Sequence, residues 1–83
     1  MTPKEAVQVV KARRVLASGE GREVRMRCGI LLHEMADALG VSVPTVSKWE
    51  RGERVPKSDH ALAYLSLLNE LVRASKTEIG MWA

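Results

Sequence analysis

The chain contains no phenylalanine, and its aromatic residues are limited to Trp49, Tyr64 and Trp82. A core assembled mainly from Leu, Val, Ala, Ile and Met favours packed helices over a β-sandwich, whose pleated faces draw on aromatic and β-branched side chains. Cysteine is equally scarce. Cys28 stands alone, which excludes an intrachain disulfide and a thiolate metal cluster. His33 and His60 are isolated from one another and from Cys28, so no metal and no cofactor is expected. No apolar run approaches the length of a membrane span, and Lys4, Glu5 and Gln8 interrupt the first ten residues where a signal peptide would need an apolar stretch. The expected setting is a reducing cytoplasm, with no membrane partner. No glycine-rich phosphate loop follows a strand and no Ser-His-Asp or Cys-His set is evident. Small helices of this number also leave little room for a closed pocket, so no catalytic residue is assigned and an enzyme is not expected.

What is present is enough apolar material, 46% of 83 residues, to fold one small domain near the size at which a single core becomes marginal. The net charge is +3, with a pI near 9.4, which permits an anionic partner without requiring one. The basic excess lies early: Lys4, Lys11, Arg13, Arg14, Arg22, Arg25 and Arg27 face only Glu5, Glu20 and Glu23.

Thr2-Pro3-Lys4-Glu5 is a helix start. Thr2 can cap, Pro3 presets the first helical position, and Glu5 stands where a capping box places its carboxylate. The helix continues through Ala6, Val9, Val10, Arg13 and Leu16 at spacings of three and four until Ser18-Gly19-Glu20-Gly21 breaks it. Arg22 to Cys28 alternates enough to be read as a strand. Helix is preferred because nothing else offers a strand partner, and Gly29 supplies a C-terminal stop. A third helix, Leu32 to Leu39, turns Met35, Ala36 and Leu39 inward and ends at Gly40; a fourth, capped by Ser42, reaches Arg51. A basic loop, Gly52 to Lys57, leads to a long last helix capped by Ser58 or Asp59 and reaching Arg73 or Ala74. Its apolar stripe, Ala61, Leu62, Leu65, Leu68 and Val72 with Tyr64, Leu67 and Leu71 beside it, is wide enough to meet the first helix or a second subunit. Residues 75 to 83 read as a frayed tail in which Trp82 has no assigned role.

The organising stretch is GVSVPTVSKWERG, Gly40 to Gly52. At about 100° per residue, Val43, Pro44, Ser47, Lys48 and Arg51 share one arc, while Thr45, Val46 and Trp49 fall opposite. A short helix, a glycine turn and a second short helix with an exposed polar front describe a helix-turn-helix. Residues 29 to 57 resemble the lambda-repressor-like (Cro, or Xre) family. The resemblance rests on Ala36, the turn Leu39-Gly40-Val41-Ser42, Thr45-Val46-Ser47 and Trp49-Glu50-Arg51-Gly52, and covers about a third of the chain. It implies an all-α fold, a compact bundle of about five helices in one domain. An added helix at 2–18 precedes a core at 22–57, a long helix at 58–74 and a tail at 75–83.

The resemblance further implies a sequence-specific regulator of transcription that places its second motif helix in the major groove of double-stranded DNA, on a palindrome read by a homodimer formed through the C-terminal helix. The small Cro-like or repressor-like regulator of a phage or mobile element is the favoured version, acting in the bacterial or host cytoplasm. Val43, Pro44, Thr45, Ser47 and Lys48 match base-facing positions, with Lys48 suited to guanine and Val43, Pro44 and the Thr45 methyl suited to thymine methyls. Arg51, Arg54 and Lys57 match phosphate contacts. Arg25 and Glu50 match an ion pair behind the recognition helix, while Ala36, Gly40, Val46 and Trp49 support it. Two residues depart from the family pattern. Leu31 and Leu32 replace a hydroxyl cap and a phosphate-touching Gln, so the third helix is expected to start less sharply and to meet phosphate only through backbone N–H groups at Leu32.

Other readings stand beside these. Arg13, Arg14, Arg22, Arg25 and Arg27 suit either solvated faces or phosphate contacts. Trp49 is expected to pack rather than stack on a base, and Cys28 to be a buried thiol rather than a reactive one. An antitoxin or a protein-interaction module using the last helix is the alternative to a DNA-reading regulator.

Overall fold

The computed structural model describes residues 1–82, and side chains through residue 75. Five helices follow one another: α1 (Pro3–Ala17), α2 (Glu20–Cys28), α3 (Leu32–Leu39), α4 (Val43–Glu50) and α5 (Ser58–Trp82). No strand occurs among the described residues. The all-α bundle inferred from the missing aromatics and from the motif is the architecture found.

Local chemistry accounts for most helix ends. Thr2 Oγ1 accepts the Glu5 N–H at 3.1 Å and the Glu5 carboxylate accepts the Thr2 N–H at 2.9 Å, closing both halves of a capping box. Those bonds favour the ionised carboxylate and hold the Glu5 pKa below its ordinary value. The break after α1 is shorter than the four residues expected, because Glu20 and Gly21 already belong to α2. The segment read as helix in preference to strand is helical. Gly40 adopts φ 69°, and nothing lies within 4 Å of where a Cβ would stand, so the dihedral rather than crowding calls for glycine there.

α3 does not start loosely, contrary to expectation. The Leu31 N–H donates to the Glu34 carboxylate at 2.9 Å, so the acidic side chain replaces the missing hydroxyl cap from the other side of the turn. α4 ends at Glu50, with Arg51 as its cap rather than its last residue. α5 begins at Ser58 and continues through Trp82, past the end expected at Arg73 or Ala74. Residues 75 to 81 contain no proline, and one glycine costs a helix only about 1 kcal/mol, which is too little to force a stop. The tail expected at 75–83 is therefore helical through Trp82, whose side chain, like Ala83, lies outside the described residues.

The core has two parts. The larger gathers Leu16, Met35, Ala36, Val46, Trp49, Tyr64 and Leu68, so every helix except α2 contributes a fully buried side chain to it. The smaller is a seam of Val9 and Ala12 against Ala61 and Leu65, joining α1 to α5. That seam corrects the face expected for α1. Val9, Ala12 and Leu16 point inward, while Ala6 and Val10 are exposed and Arg13 is half-buried. Small residues at positions 12 and 61 allow the two helices to approach closely, which selects the Val9–Ala12–Leu16 stripe over its neighbour. On α5, Ala61, Tyr64, Leu65 and Leu68 are buried, whereas Leu62, Leu67, Leu71 and Val72 are half-buried. Cys28 is half-buried rather than enclosed.

Candidate nucleic-acid interface

α4 is built to show one side and hide the other. Ser42 Oγ accepts the Thr45 N–H at 3.3 Å and so fixes the first turn. Two residues after the cap, Pro44 needs no partner for a backbone donor it lacks. From that start Val43, Pro44, Lys48 and the following Arg51 are exposed and Ser47 is half-buried on one arc, while Val46 and Trp49 are 0% and 2% exposed on the other. Thr45 falls between the two. It is half-buried, and its hydroxyl lies 2.7 Å from Ser42 Oγ, so its polar atom belongs to the cap.

The rear is held by shape and by one buried polar network. Met35 and Ala36 of α3 and Leu16 of α1 pack with Val46 and Trp49, and His60 places its ring 5.5 Å from that of Trp49. Arg25 Nε donates to Glu50 Oε2 at 2.8 Å and to Oε1 at 3.2 Å, and Arg25 Nη1 donates to the Ile30 carbonyl at 3.0 Å. The ion pair expected from the resemblance is thus formed. Tyr64 completes it: its hydroxyl donates to Glu50 Oε2 at 2.8 Å. Burial raises the Tyr64 pKa, and the adjoining Glu50 carboxylate adds to the rise. Both keep the hydroxyl a donor to the carboxylate.

One carboxylate at the end of α4 therefore ties that helix to α2 and α5, and Arg25 carries the tie on to the α2–α3 turn. Gly21 makes room for this. A Cβ there would stand 2.8 Å from the Tyr64 hydroxyl and 3.2 Å from its ring. In the sequence Tyr64 stands as a flank of the apolar stripe of the last helix, and the tendency of a buried tyrosine hydroxyl to find a partner is the signal that points to this role.

The basic residues differ in their freedom. Arg51 Nε lies 2.6 Å from Glu53 Oε2, an exposed pair that reduces the charge presented at the end of α4. Lys48, Arg54 and Lys57 are exposed and form no ion pair among the described residues. The loop that carries the last two folds back on α4, where the Lys48 carbonyl accepts the Glu53 N–H at 2.8 Å and the Arg54 N–H at 3.3 Å. Leu32, half-buried at the start of α3, borders a depression of about 600 Å³ that also includes Ser47, Arg51 and Arg22. Arg22 thereby joins the residues beside the front of α4, a placement its position before the motif did not reveal. Arg13 does not: its guanidinium is turned to the Pro56 carbonyl.

Among the described residues, no group of three His, Cys, Asp or Glu is placed to hold a metal, and no helix is long and apolar enough to cross a membrane. A family model described as helix-turn-helix matches residues 22–71. The match covers α3, α4 and most of α2, ends at Leu71 within α5, and leaves α1 outside it. No curated protein and no solved structure matches the chain.

Proposed function

The chain belongs to the lambda-repressor-like (Xre) helix-turn-helix family of DNA-binding regulators, and from that premise we propose that it reads a specific double-stranded operator as a Cro-like or repressor-like regulator, of the kind a phage or mobile element encodes. The observation that carries the reading is the division of α4, whose rear is enclosed and ion-paired while its front is exposed and almost unengaged. A front fixed in orientation but free of internal partners suits the N-terminal half of a helix lying in the major groove.

In this reading Val43, Pro44, Ser47 and Lys48 face base edges, and Thr45 contributes its methyl from the border of that face. Lys48 supplies the strong donor to guanine, while Val43, Pro44 and Thr45 favour thymine methyls. Arg51, Arg54 and Lys57 meet phosphate, as do the backbone N–H groups at Leu32, and none of these contacts carries sequence information. The protein acts without catalysis, in the compartment that holds the DNA. The half-buried Leu67, Leu71 and Val72 on α5 supply the surface for a homodimer on a palindrome. An antitoxin would offer the same face to a different protein.

Selection of bound duplexes from a random pool tests the proposal. Enrichment of a palindrome with half-sites about one helical turn apart is expected. Binding without enrichment of any sequence would remove the specific-regulator reading. Sedimentation at micromolar concentration, with and without the selected duplex, tests the dimer, and monomer under both conditions would overturn it.

A further inference from the structure

The loop between α4 and α5 carries Arg54 and Lys57, and it is tied down at both ends. At the α4 end the Lys48 carbonyl takes the Glu53 and Arg54 N–H groups. At the α5 end the tie comes from a different part of the chain. Arg13 Nε and Nη2 donate to the Pro56 carbonyl at 3.2 and 3.1 Å, two N–H groups of one guanidinium on a single oxygen. Pro56 is buried, whereas Arg54, Val55 and Lys57 around it are exposed. A crevice of about 40 Å³ marks where Arg13, Leu16 and Ala17 of α1 meet Trp49, Gly52 and Pro56. Arg13 lies on α1, outside the segment that defines the family.

We infer that Arg13 is a positioning residue for DNA binding. It holds the Pro56 carbonyl so that the flanking Arg54 and Lys57 present their charges in fixed places beside α4, and it is the means by which the added helix takes part in recognition. A guanidinium is suited to the task because its planar fork keeps its geometry and its charge at any working pH. A lysine keeps the charge but not the fork. The inference rests on the DNA-binding reading, since a loop that meets no phosphate has nothing to position.

The test uses the full chain and a mixed-sequence duplex, whose binding is set by phosphate contacts. Near 0.1 M salt each such contact is worth about tenfold in affinity and about one in the salt slope. Arg13→Gln is expected to weaken binding about tenfold and to flatten the slope by about one, with Arg13→Lys restoring little of either. When Arg54 and Lys57 are already alanine, Arg13→Gln should cause no further loss, because it acts through them. Unchanged affinity and slope in Arg13→Gln would overturn the inference. So would a full additional loss in the alanine background, or recovery by Arg13→Lys, since either marks Arg13 as a direct phosphate contact. Amide exchange keeps this inference separable from the DNA reading. If the wild-type chain binds no duplex, that reading fails, yet faster exchange in Arg13→Gln at Ala61, whose N–H donates to the Lys57 carbonyl beside Pro56 at 2.8 Å, still demonstrates the hold, and unchanged exchange there refutes it.

Discussion

The two sides of α4 obey different rules. Behind it, Val46, Trp49 and Glu50 are at most 4% exposed, and both oxygens of the Glu50 carboxylate are occupied by Arg25 and Tyr64. In front, Val43, Pro44 and Lys48 are exposed, and the structural ties there use backbone atoms or the Ser42 cap. A change behind must therefore be answered by a neighbour, whereas a change in front alters what is presented and leaves the fold intact. A domain this small can keep one body and vary its target because the two sets of residues share a helix but few contacts.

Four substitutions can break or sharpen this contrast. Trp49→Ala should have the largest effect, about 3 to 5 kcal/mol. That is comparable with the whole stability of a small domain, so loss of the helical circular dichroism signal at 25 °C is expected, and a folded variant would show that the rear is not the anchor. Arg25→Met belongs in the same range, about 3 to 5 kcal/mol, because it leaves the buried Glu50 charge with only the Tyr64 hydroxyl. Replacing the whole network, as Arg25→Met with Glu50→Leu and Tyr64→Phe, should recover much of that loss in urea titration, because no buried polar side chain of the three is then left unpaired.

Tyr64→Phe should cost less, about 1.5 to 3 kcal/mol for a hydrogen bond to a charged acceptor. Its pH dependence has a definite sign. Burial and the Glu50 carboxylate raise the Tyr64 pKa, so on the alkaline side the unfolded chain loses this proton first. The stabilisation is whole below about pH 10, the ordinary tyrosine value, and declines as the pH rises beyond it. The gap in urea midpoint between wild type and Tyr64→Phe should accordingly be constant from pH 7 to 9 and narrow above 10. Lys48→Ala should have the smallest effect on stability, within about 0.5 kcal/mol. On a selected duplex it should cost about 1 to 3 kcal/mol and relax preference at one base pair. Equal losses on selected and random duplexes would place Lys48 among the phosphate contacts instead.

Much of this was legible in the residues themselves. Caps and turns are local chemistry, and Thr2, Glu5, Gly40 and Ser42 each announce a helix end by what they can donate, accept or adopt. The rear of α4 was legible from period, and the Arg25–Glu50 pair from the family resemblance. What escaped depended on partners distant in sequence. Val10 and Ala12 stand on adjacent stripes of α1, and the choice between them is made by Ala61 on another helix. Arg13 binds a backbone carbonyl, an acceptor present at every residue and therefore without a signature. Glu34 substitutes for a missing cap from three residues away, which the loss of the hydroxyl at Leu31 concealed.

Gly21 and Tyr64 have a consequence for how this fold can diverge. A methyl at position 21 would collide with the tyrosine hydroxyl at 2.8 Å, so alanine at 21 and tyrosine at 64 are mutually exclusive without rearrangement. Descendants of this sequence should inherit the two positions as a unit, glycine with tyrosine or alanine with phenylalanine, since a ring carbon at 3.2 Å and Leu16 at 3.4 Å leave no room for more than a methyl. Gly21→Ala combined with Tyr64→Phe should then be milder than the two single changes added together. The covarying pair would mark which relatives keep a second partner on the Glu50 carboxylate, even where the rest of the helix-turn-helix has drifted.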